Sequence, residues 1–137
     1  MMKSVFADTG YWIALVNPRD QDHSKAVEVA ATLRGIRIVT SEWVLFELLN
    51  GVAESGHHLR SAAANTVSTL KTVPGSIVDC QSESMFSRAL KLYSERIDKQ
   101  WSLTDCASFL IMEKLGIDSA LTADHHFQQA GFTALLR

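Results

Sequence analysis

Two patterns of apolar and polar positions alternate along the chain. Short apolar runs predict five β-strands, within residues 4–7, 36–40, 73–78, 120–122 and 132–136. Longer segments with apolar positions three and four apart predict seven helices, over residues 11–16, 22–34, 42–55, 57–70, 82–95, 103–115 and 124–130. Because strands and helices alternate, we expect an α/β fold with a mostly parallel sheet of four to five strands and helices on both faces.

Two parts of the helical pattern stand out by their apolar content. The helix at 103–115 is apolar on almost all sides, so we expect it to lie at the centre of the protein. The helix pair at 42–70 carries more apolar surface than one face of a sheet can cover. We expect most of this surface to join the core. Its apolar residues include Trp43, Val52, Leu59 and Val67.

Four acidic residues occur where a parallel sheet binds ligands, which is beyond the carboxyl ends of the strands. Asp8 directly follows the first predicted strand, and Asp124 directly follows the fourth. Asp105 lies in the first turn of the central helix, and Glu47 lies one turn into a helix that begins at the same edge. We therefore expect the four carboxylates to converge on one cleft.

Helix capping is an alternative explanation for three of these acids. Asp8 and Asp124 each precede a predicted helix, as N-cap residues do. Ser102 and Asp105 have the spacing of a capping box, with Asp in place of the usual Glu. For each residue taken singly, capping and ligand binding both stay open.

Glu47 has a different alternative explanation. With Asn50 and Glu54 it forms polar positions three and four apart, which are typical of the solvent-facing side of a helix. Its apolar neighbours within residues 44–49 instead favour partial burial. Both interpretations of Glu47 fit the pattern.

The charges of the chain favour a bound cation in such a cleft. Thirteen Lys and Arg against fifteen Asp and Glu give a net charge of −2, so no general positive field holds a polyanion. Two carboxylates about 5 Å apart repel by roughly 3 kcal/mol at an effective dielectric constant near 20, and a divalent cation removes this repulsion. Oxygen ligands suit Mg²⁺ or Mn²⁺, which activate water and neutralise phosphate in phosphodiester hydrolysis.

The composition is typical of one cytoplasmic domain. The 137 residues, 47% of them hydrophobic, are enough for a single core, and we expect one domain over residues 1–137. We expect neither a membrane span, which needs roughly 18 apolar residues, nor a secretory signal. Cys80 and Cys106 lack the spacing of a zinc site, so we expect both to be small core residues in a reducing cytoplasm.

Five short motifs follow one another along nearly the whole chain. They are Val5-Phe6-Ala7-Asp8-Thr9-Gly10, Asp22-His23-x-x-Ala26, Glu47-Leu48-Leu49-Asn50, Trp101-Ser102-Leu103-Thr104-Asp105-Cys106, and Thr122-Ala123-Asp124-His125-His126-Phe127 with Gly131-Phe132. In this order they resemble the PIN-domain nucleases, and within them the VapC-type toxins of bacterial toxin–antitoxin modules. Gly10 stands where that family usually has Ser, and Cys106 stands where Ala is common.

The resemblance implies a three-layer α/β/α sandwich and a Mg²⁺- or Mn²⁺-dependent endoribonuclease in the cytoplasm. It also implies a homodimer and an inhibiting antitoxin protein, with the dimer seam and antitoxin groove in the helix pair at 42–70. Metal binding and catalysis are implied for Asp8, Glu47, Asp105 and Asp124. The candidates for orienting these carboxylates or the attacking water are Thr9, Asn50, Thr104 and Thr122, although helix capping also fits Thr9 and Thr104.

Other classes compete with this interpretation. His125-His126 after Asp124 spells the Asp-His-His triplet of another phosphoesterase class, but the upstream motifs of that class are lacking, so we expect both histidines to be exposed. A receiver domain needs a second acid beside Asp8, and a haloacid-dehalogenase-like phosphatase needs an acid in place of Gly10. A catalytically silent PIN fold that binds RNA or acts as a scaffold is the main alternative, and the presence of all four acids favours the nuclease.

Overall fold

The computed structural model describes residues 3–80 and 82–137, so residues 1, 2 and 81 of the predicted domain lie outside the described residues. In this part of the chain, five parallel strands form one sheet in the order β3-β2-β1-β4-β5. The strands are β1 (Ser4–Ala7), β2 (Arg37–Ser41), β3 (Ser76–Asp79), β4 (Ser119–Leu121) and β5 (Thr133–Ala134). The prediction of an α/β protein with a parallel sheet is confirmed.

Seven helices of the described chain flank this sheet. They are α1 (Thr9–Val16), α2 (His23–Ala30), α3 (Glu42–Gly51), α4 (His57–Leu70), α5 (Glu83–Glu95), α6 (Leu103–Leu115) and α7 (His125–Gln129). Helix α1 contacts α2, α3 and α4, and helix α6 contacts α5 and α7. Helix α3 also contacts α6, so the two groups of helices touch each other directly.

Three elements are shorter than the sequence predicts. The helix expected to reach residue 34 ends at Ala30, and just beyond it the Thr32 hydroxyl donates to the Val29 carbonyl at 2.6 Å. Such side-chain bonds to the backbone compete with continuation of a helix. The helix expected to reach residue 55 ends at Gly51. Strand β5 has two residues instead of five, because it lies at the sheet edge and only these two pair with β4.

Helix α6 lies at the centre of the protein, as predicted. Seven of its 13 residues are buried. The ring of Phe109 contacts the rings of Trp101, Phe127 and Phe132 at centroid distances of 4.9, 5.0 and 5.8 Å. These aromatic contacts hold α7 and the segment before β5 against α6. They place the start of α6 beside the end of β4.

Five exposed large apolar side chains lie on α3 and α5, and among the described residues none lies on α4. Val52 is buried, and Trp43, Leu59 and Val67 pack against the core, as expected for most of this helix pair. Exposed apolar side chains instead form what we call the α3–α5 apolar surface, defined by Phe46, Leu49, Phe86, Leu90 and Tyr93. The stacked rings of Trp43 and Phe86, 5.9 Å apart, join the two helices.

The two cysteines differ in exposure. Cys106 is buried, as expected, but Cys80 is exposed because it follows β3 at the edge of the sheet.

None of the helices formed by the described residues has the length and apolar character needed to cross a membrane.

Candidate active site

The order of the strands reverses between β1 and β4. From β1 the chain proceeds to β2 and β3 on one side, and it later returns to form β4 and β5 on the other side. Crevices at such reversal points are where open α/β sheets bind ligands. The Asp8 amide donates to the Leu121 carbonyl at 3.2 Å, so the ends of β1 and β4 are held together here.

A cleft of about 390 Å³ opens at this reversal point. All four acids singled out in the sequence line it. Asp22 of the second motif, for which no role was predicted, lines it as well. No Lys or Arg is found among the described residues that line the cleft. The remaining lining residues are Thr9, Gly10, Gln100, Ser102, Thr122, Ala123, His126 and Leu136.

Asp8 is held by the side chain of the residue that follows β4 and does not act as a side-chain cap. It is 8% exposed, and the Thr122 hydroxyl donates to its Oδ2 atom at 2.9 Å. Although Asp8 occupies the N-cap position of α1, its carboxylate makes no capping hydrogen bond within the described chain. The capping explanation is therefore wrong for Asp8.

Asp105 and Asp124 do cap helices while lining the cleft. Asp105 Oδ2 accepts from the Ser102 amide at 3.0 Å, and Ser102 Oγ accepts from the Asp105 amide, so the predicted capping box is present. Asp124 Oδ1 accepts from the His126 amide at 2.9 Å. A carboxylate has two oxygens and several lone pairs, so capping through one oxygen leaves the other for a ligand.

Glu47 reaches the cleft from α3 as an exposed side chain, so of its two interpretations the solvent-facing one is confirmed and partial burial is wrong. Its Oε1 atom accepts from the Thr9 hydroxyl at 2.7 Å. This bond joins the start of α1 to α3 across the cleft, although the two residues lie far apart in sequence. Glu47 is thus a fixed acid at the solvent side of the cleft.

The four candidate orienting residues divide into two pairs. Thr9 and Thr122 each donate a hydrogen bond to an acid of the cleft. Within the part of the chain that the structure describes, the side chains of Asn50 and Thr104 neither line the cleft nor bond to any of the four acids. Neither threonine proposed as a cap occupies an N-cap position, since Asp8 precedes α1 and Ser102 precedes α6.

Neither Lys nor Arg balances the buried carboxylates among the described residues that line the cleft. Burial raises the pKa of Asp8 to about 7, and the charges of Asp105 and Glu47 act in the same direction, against hydrogen bonding from the Thr9 backbone amide and the Thr122 hydroxyl. Burial also raises the pKa of Asp105, with a further contribution from the charge of Asp124. In both carboxyls, burial thus makes the charged form less favourable than it is in water.

The residues present fit a hard divalent cation. Several carboxylates supply only oxygen donors, which is the ligand set of Mg²⁺ and Mn²⁺. A cation among them removes their mutual repulsion and restores the ionised form. The meeting of several acids in a cleft without Lys or Arg among its described lining residues favours such a cation, and the raised pKa of the Asp8 carboxyl agrees with it.

The two histidines after Asp124 differ in exposure. The side chain of His125 is 59% exposed, as expected, but that of His126 is only 18% exposed and lines the cleft. Sequence reasoning missed His126 because its burial depends on packing of α7 against α6. Among the described residues, Asp124, His125 and His126 form a group of three potential ligand atoms within 4.8 Å of one another.

The parallel sheet and the acidic cleft at its strand reversal define a class of protein. Comparison of the sequence with family models identifies this class. The family model of the PIN domain matches residues 5–133, and the chain therefore belongs to the PIN domain family. The predicted resemblance is confirmed. PIN-domain nucleases generally use divalent metal ions.

The chain is also similar to individual proteins of this family. It is 33% identical over 132 residues to the 23S rRNA-specific endonuclease VapC20 of Mycobacterium tuberculosis, in strain H37Rv and in strain CDC 1551, covering 93% of this chain and 95% of the relative. The crystal structure of M. tuberculosis VapC20, described as a sarcin–ricin loop cleaving toxin, matches with a TM-score of 0.83 and 26% identity, covering 94% of this chain and 96% of that one. The predicted class, a PIN-domain nuclease related to the VapC toxins, agrees with these matches.

Proposed function

We propose that this protein is a metal-dependent endoribonuclease and the toxin of a toxin–antitoxin pair. The observation that carries the proposal is the convergence of Asp8, Glu47, Asp105 and Asp124 on one cleft at the strand reversal. Membership of the PIN domain family and the similarity to an endonuclease toxin support the same activity. A cation in the cleft also explains how a chain of net charge −2 binds RNA.

The four acids have graded roles in this proposal. Asp8 and Asp105, both 8% exposed, hold Mg²⁺ or Mn²⁺ most directly, and Glu47 and Asp124 complete the site from the solvent side. Thr122 orients Asp8 and Thr9 orients Glu47 through the hydrogen bonds described above. A bound divalent cation supplies a hydroxide near neutral pH and neutralises charge on the phosphate.

The RNA to test first is the one named for the relative. VapC20 is specific for 23S rRNA, and we propose that this chain also cleaves RNA of the large ribosomal subunit. Purified protein is incubated with ribosomes and with a sarcin–ricin loop oligonucleotide, in Mg²⁺, Mn²⁺ or EDTA. The variants are Asp8→Asn and, as the matched control, Asp118→Asn, an exposed acid at the opposite end of β4.

We expect cleavage by the wild type in Mg²⁺ or Mn²⁺ and none in EDTA. Because metal stabilisation of the transition state contributes several kcal/mol, Asp8→Asn lowers the rate by at least about 100-fold, and Asp118→Asn does not. An unchanged rate in Asp8→Asn contradicts the site assignment. RNA binding without cleavage in either metal contradicts the enzyme and favours the silent PIN fold.

The remaining partners follow from the same proposal. In place of the helix pair at 42–70, the α3–α5 apolar surface with its five exposed apolar side chains is proposed as the seam of a homodimer. A small antitoxin protein is proposed as the inhibitor, and expression with the product of a neighbouring small reading frame tests it by co-purification. We further propose that residues 1–137 form one domain that acts in the cytoplasm and not at a membrane.

A further inference from the structure

His126 lies between two acids that come from different parts of the fold. Its Nδ1 atom is 3.2 Å from Asp124 Oδ1 and 3.3 Å from Asp105 Oδ2. The atom is fully buried, yet it has no hydrogen bond of good geometry with any described residue. A buried polar atom of this kind calls for an explanation. An N–H shared between two nearly equidistant acceptors provides one.

The two oxygens that face His126 are already occupied by backbone donors. Asp105 Oδ2 accepts from the Ser102 amide, and Asp124 Oδ1 accepts from the His126 amide. The hydrogen bonds of the described residues leave the second oxygen of each carboxylate, Oδ1 of Asp105 and Oδ2 of Asp124, without a donor. His126 therefore contacts the inner, fixed side of both carboxylates.

Both neighbours of Nδ1 are acceptors, so Nδ1 carries a proton as the donor. This donor lies between an acid at the start of α6 and an acid in the loop after β4. The charge of Asp124 contributes to the raised pKa of Asp105, and the charge of His126 acts in the opposite direction. The Asp105–His126–Asp124 bridge thus sets the spacing between two acids of the cleft.

We propose that His126 is a positioning residue, which ties Asp105 to Asp124 and so prepares the cleft for its cation. The inference rests on the proposed metal-dependent function. Groups that orient metal ligands in this way typically contribute 10- to 100-fold to metal affinity. His125, which approaches only Asp124, at 3.6 Å and from an exposed position, has no such role.

A pair of substitutions tests the position of the donor rather than its mere presence. In His126→Asn the amide nitrogen takes about the place of Nδ1, whereas in His126→Gln the amide nitrogen reaches toward the place of Nε2. Both replacements are polar and smaller than or similar to His. His125→Gln is the matched control on the adjacent residue. Circular dichroism and thermal unfolding in EDTA confirm that each variant is folded.

Calorimetric titration of Mn²⁺ and of Mg²⁺ into metal-free protein provides a measurement independent of activity. We expect His126→Gln to weaken the affinity for both ions by about 10-fold or more, while His126→Asn and His125→Gln stay close to the wild type. RNA cleavage by His126→Gln is then restored by raising the Mg²⁺ concentration.

Three results overturn the inference. Equal affinities in all variants show that His126 only packs in the fold. Equal losses in His126→Asn and His126→Gln show that the position of the donor has no role. A loss of Mn²⁺ affinity much larger than the loss of Mg²⁺ affinity makes His126 a direct ligand. Failure of the proposed function is distinct, because then the wild type itself binds no cation at the cleft and cleaves no RNA.

Discussion

Thr122 connects two acids of the cleft through a single hydroxyl group. The hydroxyl donates to Asp8 Oδ2 at 2.9 Å and accepts from the Asp124 amide at 3.1 Å. The residue is 1% exposed, so water cannot replace either bond. Because the hydroxyl orients the buried carboxylate and fixes the loop after β4, the geometry of the cleft depends on it.

Thr122→Val keeps the shape of the side chain and removes this hydroxyl. We expect the free energy of unfolding to fall by about 1–3 kcal/mol, because a buried amide and a carboxylate oxygen lose their partner. Urea denaturation in EDTA measures this change, and titration with Mg²⁺ should show weaker binding. Thr133→Val, at an exposed position in β5, is the control. A variant as stable as the control would mean that the two bonds contribute nothing.

At the scale of residues, positions at strand ends could be predicted and contact partners could not. The ends of the apolar runs before Asp8 and Asp124 are visible in the sequence, and parallel strands bring such ends to one edge. The Thr9–Glu47 bond joins residues 38 positions apart, and nothing local encodes it. The burial of His126 likewise depends on tertiary packing.

At the scale of elements, α5 combines a buried side with an apolar side that faces solvent. Met85 and Ala89 are buried, whereas Phe86, Leu90 and Tyr93 are exposed. Helical periodicity predicts the helix but does not tell which apolar residues face the core. The capping box at Ser102 is a local pattern and could be predicted, whereas the early end of α2 could not.

Leu90→Glu tests the α3–α5 apolar surface as a dimer seam. We expect the wild type to sediment as a species with twice its chain mass of 15.1 kDa and the variant to sediment as a monomer. The reason is that an unpaired charge in an apolar interface is strongly unfavourable. Leu115→Glu is the matched control, since Leu115 is 46% exposed and Leu90 is 48% exposed.

The proposed seam is wrong if both variants sediment like the wild type. It is also wrong if Leu115→Glu alone dissociates the dimer. Analytical ultracentrifugation over a range of protein concentrations distinguishes these outcomes from a dimer that is only weakened.

At the scale of the whole molecule, the strand order creates the cleft. Alternation of strands and helices predicts a parallel sheet, but it does not specify that β1 is central or that the order reverses between β1 and β4. The family resemblance supplied the sandwich architecture. The shared sheet edge was enough to place the acids together, and their individual roles stay predictions.

The pH dependence of stability follows from the buried acids. The pKa of Asp8 is raised to about 7 in the folded protein, so between about pH 4 and pH 7 the folded state keeps a proton that the unfolded state has lost. Stability without metal therefore falls as the pH rises through this window. The free energy of unfolding that is lost through Asp8 amounts to at most about 4 kcal/mol.

Thermal unfolding in EDTA from pH 5 to pH 8 measures this effect. We expect the melting temperature of the wild type to fall with pH and that of Asp8→Asn to fall less, so that the variant is the more stable protein at pH 8. Mg²⁺ should raise the melting temperature of the wild type more at pH 8 than at pH 5. A wild-type melting temperature that rises with pH relative to Asp8→Asn would contradict the assigned ionisation.

The most direct measurement of the central claim is the anomalous scattering of Mn²⁺ in crystals of the wild-type protein. The account predicts a peak in the cleft within coordination distance of the carboxylates of Asp8 and Asp105, and no peak there in crystals of Asp8→Asn grown with the same ion. A wild-type cleft without a peak, or a peak confined to His125 on the outer surface, would contradict it.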